Sequence, residues 1–409
     1  MNNVIQNKKL PLLEMLFIMY YAFLAINPKM NVQVPLINFL LIELAYAVYI
    51  YYRDLSIRHL VSTFLWCTSI IALLFTFTTS IPYIGANVPN REIKSLVTMC
   101  HSFFSLVFPI LLTYRLLSCG SKIQKLIVLL FSTVVLFTII QTTWAELLVN
   151  ERILKSQMAA DLESDNVLVG GYSFVCAGPI LASSIFYAAI KCRQKLIKSG
   201  LILLCGFLIV FLSKSMYSIA LLAAVLGIAS CFYAESNNRY KKLYLAAPFI
   251  VWFLAPVILT FVINILDDGD TKLRMGELYY FFTTGDLGDD DLGARFNLYG
   301  RSLVAFIKSP IWGNFYLGFN PHSTALEILA GIGLLGFVPF YKMLEKSFTT
   351  TKKLLPSWSI LPCLSSFGLM CLTNPIHASL PMNISLWLVA PLLYDVINQN
   401  KKYIYEKSK

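Results

Sequence analysis

The chain reads as an all-α, polytopic integral membrane protein with about twelve transmembrane helices and one large outer loop, and three observations predict it. Hydrophobic residues make up 57% of the 409 and charged residues only 13%, about half the charged share of a soluble domain, and mean hydropathy is +0.68. The apolar residues gather in runs of about 20, the length that crosses a bilayer core as helix. Lysines and arginines cluster between alternate runs, which is how a membrane chain fixes its orientation. The net charge of +11 is therefore read as topology, and nucleic acid is not an expected partner.

In order, the runs fall at roughly 11–27, 34–52, 60–80, 96–114, 126–148, 172–190, 200–213, 216–234, 244–265, 323–341, 357–373 and 381–397. Three regions follow. Residues 1–265 hold spans one to nine with short loops, 266–322 form the large outer loop, and 323–409 hold the last three spans and a tail. An even number of spans puts both termini on one side. Lys8 and Lys9, Arg53 and Arg58, Arg115, Lys122 and Lys125, Lys191 to Lys198, Arg239 to Lys242, and Lys342 to Lys353 then share that side with the basic tail. Every short loop there is basic, so that side is the cytoplasm. No cleavable signal sequence is expected, because the run after Lys9 lacks a small-residue cleavage site and leads into another span.

The nine cysteines occur singly, mostly inside apolar runs, as with Cys67, Cys205 and Cys231. Without a Cys-x-x-Cys pair they indicate neither a zinc site nor a disulfide framework and read as packing residues. Four polar residues stand inside spans: Glu43, His101, Gln141 and Glu146. Such groups commonly hydrogen-bond a neighbouring helix. Lys214 differs, since it separates two apolar runs too close together for a loop, and it must reach the outer interface or face a polar cavity. With Ser213 and Ser215 beside it, that turn could hold an anion; a snorkelling lysine in a tight hairpin is an equal reading.

Two outer loops are longer than the rest. The first, 149–171, carries Arg152, Lys155, Asp161, Glu163 and Asp165. The second begins acidic at Asp267, Asp268 and Asp270 and turns basic and amphipathic from Arg295. There Ser302, Lys308 and Ser309 interleave with Leu298, Leu303, Val304, Phe306 and Ile307, so the segment is expected to form a helix that lies along the interface. The acidic run Asp289, Asp290 and Asp291 reads as a solvated turn, not a metal motif. No metal and no cofactor are expected.

From Gly293 to Gly336 the sequence runs GARFNLYGRSLVAFIKSPIWGNFYLGFNPHSTALEILAGIGLLG. An arginine opens an amphipathic helix, a Pro-x-x-Gly turn follows, and a histidine starts an apolar helix that ends in a Gly-rich turn. This pattern resembles the C-terminal signature of the O-antigen ligase and polymerase superfamily, and the Ser-Lys-Ser turn at 213–215 looks like that family's short motif between two spans. The resemblance implies a metal-independent glycosyltransferase of the bacterial inner membrane with its active site on the outer face. By the same resemblance Arg295 contacts the pyrophosphate of a polyprenyl-linked donor, His322 acts on the acceptor hydroxyl, and Lys214 binds anionic groups. Arg301 is a further phosphate-binding candidate by position, and Glu327 and His377 are possible additional site residues. Lysine stands at 214 where the family more usually has arginine. Ser323 stands where ligases commonly have asparagine, and histidine followed by serine looks more like the polymerases of O-antigen or capsule assembly. The implied partners are an undecaprenyl-pyrophosphate-linked oligosaccharide, membrane lipids, a chain-length regulator and a flippase. A ligase that delivers the glycan to lipid A core, and a flippase for the lipid-linked oligosaccharide, are the alternatives.

The residue types suit that chemistry. Loss of a lipid pyrophosphate leaves negative charge, which fixed cations can stabilise, and arginine's planar fork grips two phosphate oxygens at once. An attacking hydroxyl must lose its proton, and imidazole is poised for that near neutral pH.

Overall fold

The computed structural model describes residues 10–12, 14–16, 18–19, 36–55, 57–80, 96–133, 171–214, 218–236, 253–265, 270–285, 291–314, 323–373 and 380–397. Every regular element among them is helical. In chain order these are α1 (Leu36–Arg53), α2 (Arg58–Ser80), α3 (Leu96–Cys119), α4 (122–133), α5 (Gly171–Lys191), α6 (Lys195–Lys214), α7 (Ser218–Glu235), α8 (Phe253–Ile265), α9 (Asp270–Thr284), α10 (Asp291–Lys308), α11 (Thr324–Leu354), α12 (Leu361–Thr373) and α13, which begins at Leu380–Ile384 and runs to residue 397. Gln141, Glu146 and most of the loop at 149–171 lie outside the described residues.

Two stretches, Lys195–Leu212 and Thr324–Leu354, are long and apolar enough to cross a membrane, and shorter apolar helices lie on six of the other expected runs. α6 shows what kind of surface this is. Leu196, Leu203 and Val210 are at least half exposed, and α8 likewise exposes Phe253, Val257, Phe261 and Ile265. A core helix of a soluble protein hides such residues, whereas a helix facing lipid must display them. These surfaces are consistent with a membrane protein.

Inside, the helices approach closely through small residues, as they do where lipid outside is as apolar as leucine inside. α5, α7 and α12 cross at Gly227, where an added Cβ would lie 1.9 Å from Ser183 Oγ and 2.1 Å from Ser366 Oγ. Those two hydroxyls share a 2.7 Å hydrogen bond, and Ser366 can instead donate to the Ala223 carbonyl at 2.8 Å. Cys176, Cys205, Cys231 and Cys363 fill the same core as free thiols. In α13 the turn Ser385–Val389 widens to a π-helix, which spoils the normal pairing of one carbonyl; the Thr113 hydroxyl of α3 donates to Trp387 O at 2.5 Å.

Side-chain charges fasten a second layer. Arg115 grips Glu14 with both ends of its fork, Nε to Oε1 at 3.0 Å and Nη2 to Oε2 at 3.2 Å, and its Nη1 reaches Asp54 Oδ2 at 3.1 Å. Tyr46 donates to the same Glu14 at 3.4 Å. Lys125 pairs with Asp395 at 2.7 Å, tying α4 to α13, and Lys191 pairs with Glu235, tying α5 to α7. Four cations read from sequence as topology markers, Arg53, Arg115, Lys125 and Lys191, therefore also hold the bundle together. Glu43 is fully buried on α1.

Three expectations change. The run expected at 323–341 continues as helix to Leu354, and its Gly-rich segment is an internal break, not an end: Gly333 has φ 60 and ψ −160. The last acidic residue of the 289–291 run, Asp291, is the first residue of α10 and does not belong to a turn, while Asp289 and Asp290 lie outside the described residues. α9, at Asp270–Thr284, adds a helix to the large loop, where a helix was expected only in the amphipathic segment from Arg295.

Candidate functional site

The candidate site is built on α10, the turn after it, and the start of α11. α10 ends at Lys308, and residues 309–314 turn back, with Gly313 N donating to Ser309 O at 2.9 Å. This turn seats itself in the break of α11. Leu334 N donates to Pro310 O at 2.9 Å and Leu335 N to Ile311 O at 3.1 Å, so the amides freed by the break find new carbonyls. From the other direction Asn314 N donates to Ala330 O at 3.0 Å. The Asn314 side chain adds two more bonds through Nδ2, to Ala330 O at 2.9 Å and to Ala305 O of α10 at 3.1 Å.

Two glycines make the seat possible. A Cβ on Gly313 would stand 2.5 Å from Gly331 O and from Gly333 N, and one on Gly333 would stand 2.4 Å from Gly313 N and 2.5 Å from Ile311 O. Both have positive φ, 68 and 60, where side-chain-bearing residues are strained. The Pro-x-x-Gly turn and the Gly-rich segment, separate features in the sequence, are thus the two halves of one backbone clasp.

α10 divides into three stripes. Ser302 is fully buried, with Leu298, Tyr299, Ala305 and Phe306 partly covered beside it. Next to these, Leu303, Val304 and Ile307 are 49%, 51% and 65% exposed. The third stripe, also exposed, carries Asn297, Arg301 and Lys308. The amphipathic helix expected from the sequence is present; of its apolar residues Leu303, Val304 and Ile307 face outward, while Leu298 and Phe306 flank the buried Ser302. Arg295 lies in α10 two turns before Ser302, on the same stripe by helical register; Arg301 does not.

At the start of α11, Ser323 is fully buried with extended backbone, and its Oγ accepts from Leu326 N at 3.3 Å. It is the N-cap. Glu327 is buried one turn later, and its amide donates to Ser323 O at 2.9 Å. Asparagine and serine are equivalent caps, so the helix needs a cap at 323 and either residue supplies one. Lys214 is the last residue of α6. His322 and His377 lie outside the described residues, as do the side chains of Arg295 and Lys214. The structure thus ties α10, which carries Arg301 on its exposed side, to α11, whose first turn holds Ser323 and Glu327, through the clasp, and does not bring Arg301 against either of them. Sequence reasoning missed Asn314 and Gly333 as its fastenings; the signal available was a glycine in mid-run.

No family model, curated protein or solved structure matches this chain.

Proposed function

We propose that the chain is a surface-polysaccharide polymerase of the bacterial inner membrane, with twelve spans, cytoplasmic termini and its active site on the outer face. It moves a growing O-antigen or capsule glycan from undecaprenyl pyrophosphate to the non-reducing end of another lipid-linked repeat unit. The reading rests on the resemblance of residues 293–336 to the ligase and polymerase superfamily. The observation that carries it is the clasp, which makes the motif's halves one unit. An arginine-bearing helix and a helix entered directly from His322 are fixed to each other through backbone bonds at Pro310, Ile311 and Asn314.

In the proposed reaction the acceptor hydroxyl oxygen attacks C1 of the donor sugar. The C1–oxygen bond to pyrophosphate breaks with its electron pair staying on the leaving phosphate, and the hydroxyl proton passes to His322. Arg295 of α10 and Lys214, at the end of α6, neutralise the leaving group. Attack opposite the leaving group inverts the anomeric centre. Because Ser323 is explained by helix capping, it does not separate polymerase from ligase, and the acceptor must decide.

A strain lacking the protein tests the reading directly. A polymerase leaves single repeat units on the surface lipid, and that is the expected result. A surface lipid with no glycan at all would make the chain a ligase or a flippase, and long chains in normal amount would remove it from the pathway.

A further inference from the structure

The exposed half of α10 is not uniform, and its division carries information that the buried half does not. Leu303, Val304 and Ile307 form one edge and Ile311 and Trp312, at 54% and 55% exposure, prolong it past the helix end. Arg301 and Lys308, two turns apart, form the adjoining edge and are both exposed. The apolar edge continues onto α11, because the clasp bonds Leu334 to Pro310 and Leu335 to Ile311, and Leu334, Leu335 and Val338 are themselves outward-facing. A surface that is apolar on one edge, cationic on the next and ends in an exposed tryptophan matches the layering of a bilayer interface: hydrocarbon, then phosphate, with the indole ring at the boundary.

We infer that Arg301 and Lys308 of α10 form a binding site for the headgroup phosphates of anionic membrane lipids, while Leu303, Val304, Ile307 and Trp312 enter the hydrocarbon beside them. This takes Arg301 out of the donor's pyrophosphate site and leaves that role to Arg295, which does not share the register of Arg301 and Lys308. The lipid is the bulk anionic phospholipid of the leaflet and not the sugar donor. The two cations sit on the exposed arc, away from the buried stripe at Ser302. The inference goes beyond the proposed reaction and stands on the membrane reading alone. It gives the loop a fixed height, since the clasp transmits the position of α10 to the helix that follows His322.

The test is amide hydrogen exchange across residues 297–308 in nanodiscs of neutral phosphatidylcholine, with and without phosphatidylglycerol. One basic residue near an anionic surface contributes a factor of about five. Phosphatidylglycerol should therefore slow exchange in α10 of the wild-type protein by about fivefold or more. The double variant R301Q/K308Q should lose that difference, while K353Q, an exposed lysine elsewhere, should keep it. Both changed side chains are exposed, so the fold survives, and unchanged exchange in the buried helices α5 and α7 verifies it. Equal exchange in both lipids for the wild type, or a lipid difference retained by R301Q/K308Q, would overturn the inference. So would protection by a few per cent of undecaprenyl pyrophosphate in neutral discs with none from phosphatidylglycerol, which would return Arg301 to the donor.

Discussion

The junction around Arg115 and the junction around Gly333 join helices by opposite means. At the first, long side chains reach across: Arg115 holds Glu14 and Asp54, and Tyr46 completes the shell. At the second, side chains are absent where it matters, and Gly313 and Gly333 let two backbones touch. A charge-built junction tolerates shifts of an ångström, because long side chains can follow. A backbone-built junction does not, which suits the role proposed for this stretch, where spacing between reacting groups matters. The difference teaches that charge holds the Arg115 junction, while the stretch proposed as the site is shaped by glycine.

The contrast can be broken at either junction. The largest effect on stability is expected at the first. Glu14→Ala strands a buried guanidinium and should cost about 3–5 kcal/mol, read as a lowered midpoint of thermal unfolding in detergent; a loss below 1 kcal/mol would mean that Arg115 is served well enough by Asp54. At the second junction, Gly333→Ala meets backbone at 2.4 Å with φ 60 and should cost about 3 kcal/mol through strain and displacement. Its signature is local: proteolysis should open between α10 and α11 while the α5–α7–α12 core stays closed. Global unfolding instead would show that the clasp is part of the core.

Smaller changes sharpen the comparison. Asn314→Ala leaves the Ala305 and Ala330 carbonyls without the side-chain donor and should cost about 1–3 kcal/mol, seen as faster amide exchange at 330–335. Smallest is Ser323. Ser323→Ala should cost about 1 kcal/mol in the unfolding midpoint, and Ser323→Asn close to nothing, with the polymer ladder unchanged in length. A switch of acceptor in Ser323→Asn would mean that residue 323 does more than cap the helix.

Much of the fold was legible because its signals are collective. Apolar runs survive small errors of placement, and among the described residues eight apolar helices lie on expected runs. Pairing was not legible, since nothing local in the sequence says that Arg115 meets Glu14, a hundred and one positions earlier. At the candidate site, the stripe pattern of α10 could be read from Leu303, Val304, Ile307 and Lys308, but not which stripe would be covered; the outward apolar edge reverses the rule for soluble helices. The break at Gly333 was hidden by its neighbours, because Ile332, Leu334 and Leu335 continue the apolar run without interruption. Only the docked turn, which supplies carbonyls to Leu334 and Leu335, makes the break affordable in energy.

The central claim is that His322 takes the proton from the acceptor hydroxyl at a site framed by this clasp. The most direct measurement places His322→Ala in a strain deleted for the protein, verifies membrane abundance equal to wild type, and resolves the surface polysaccharide on a gel. The account predicts that the ladder of long chains collapses to single repeat units. A ladder of normal length and intensity from a variant at normal abundance would contradict it.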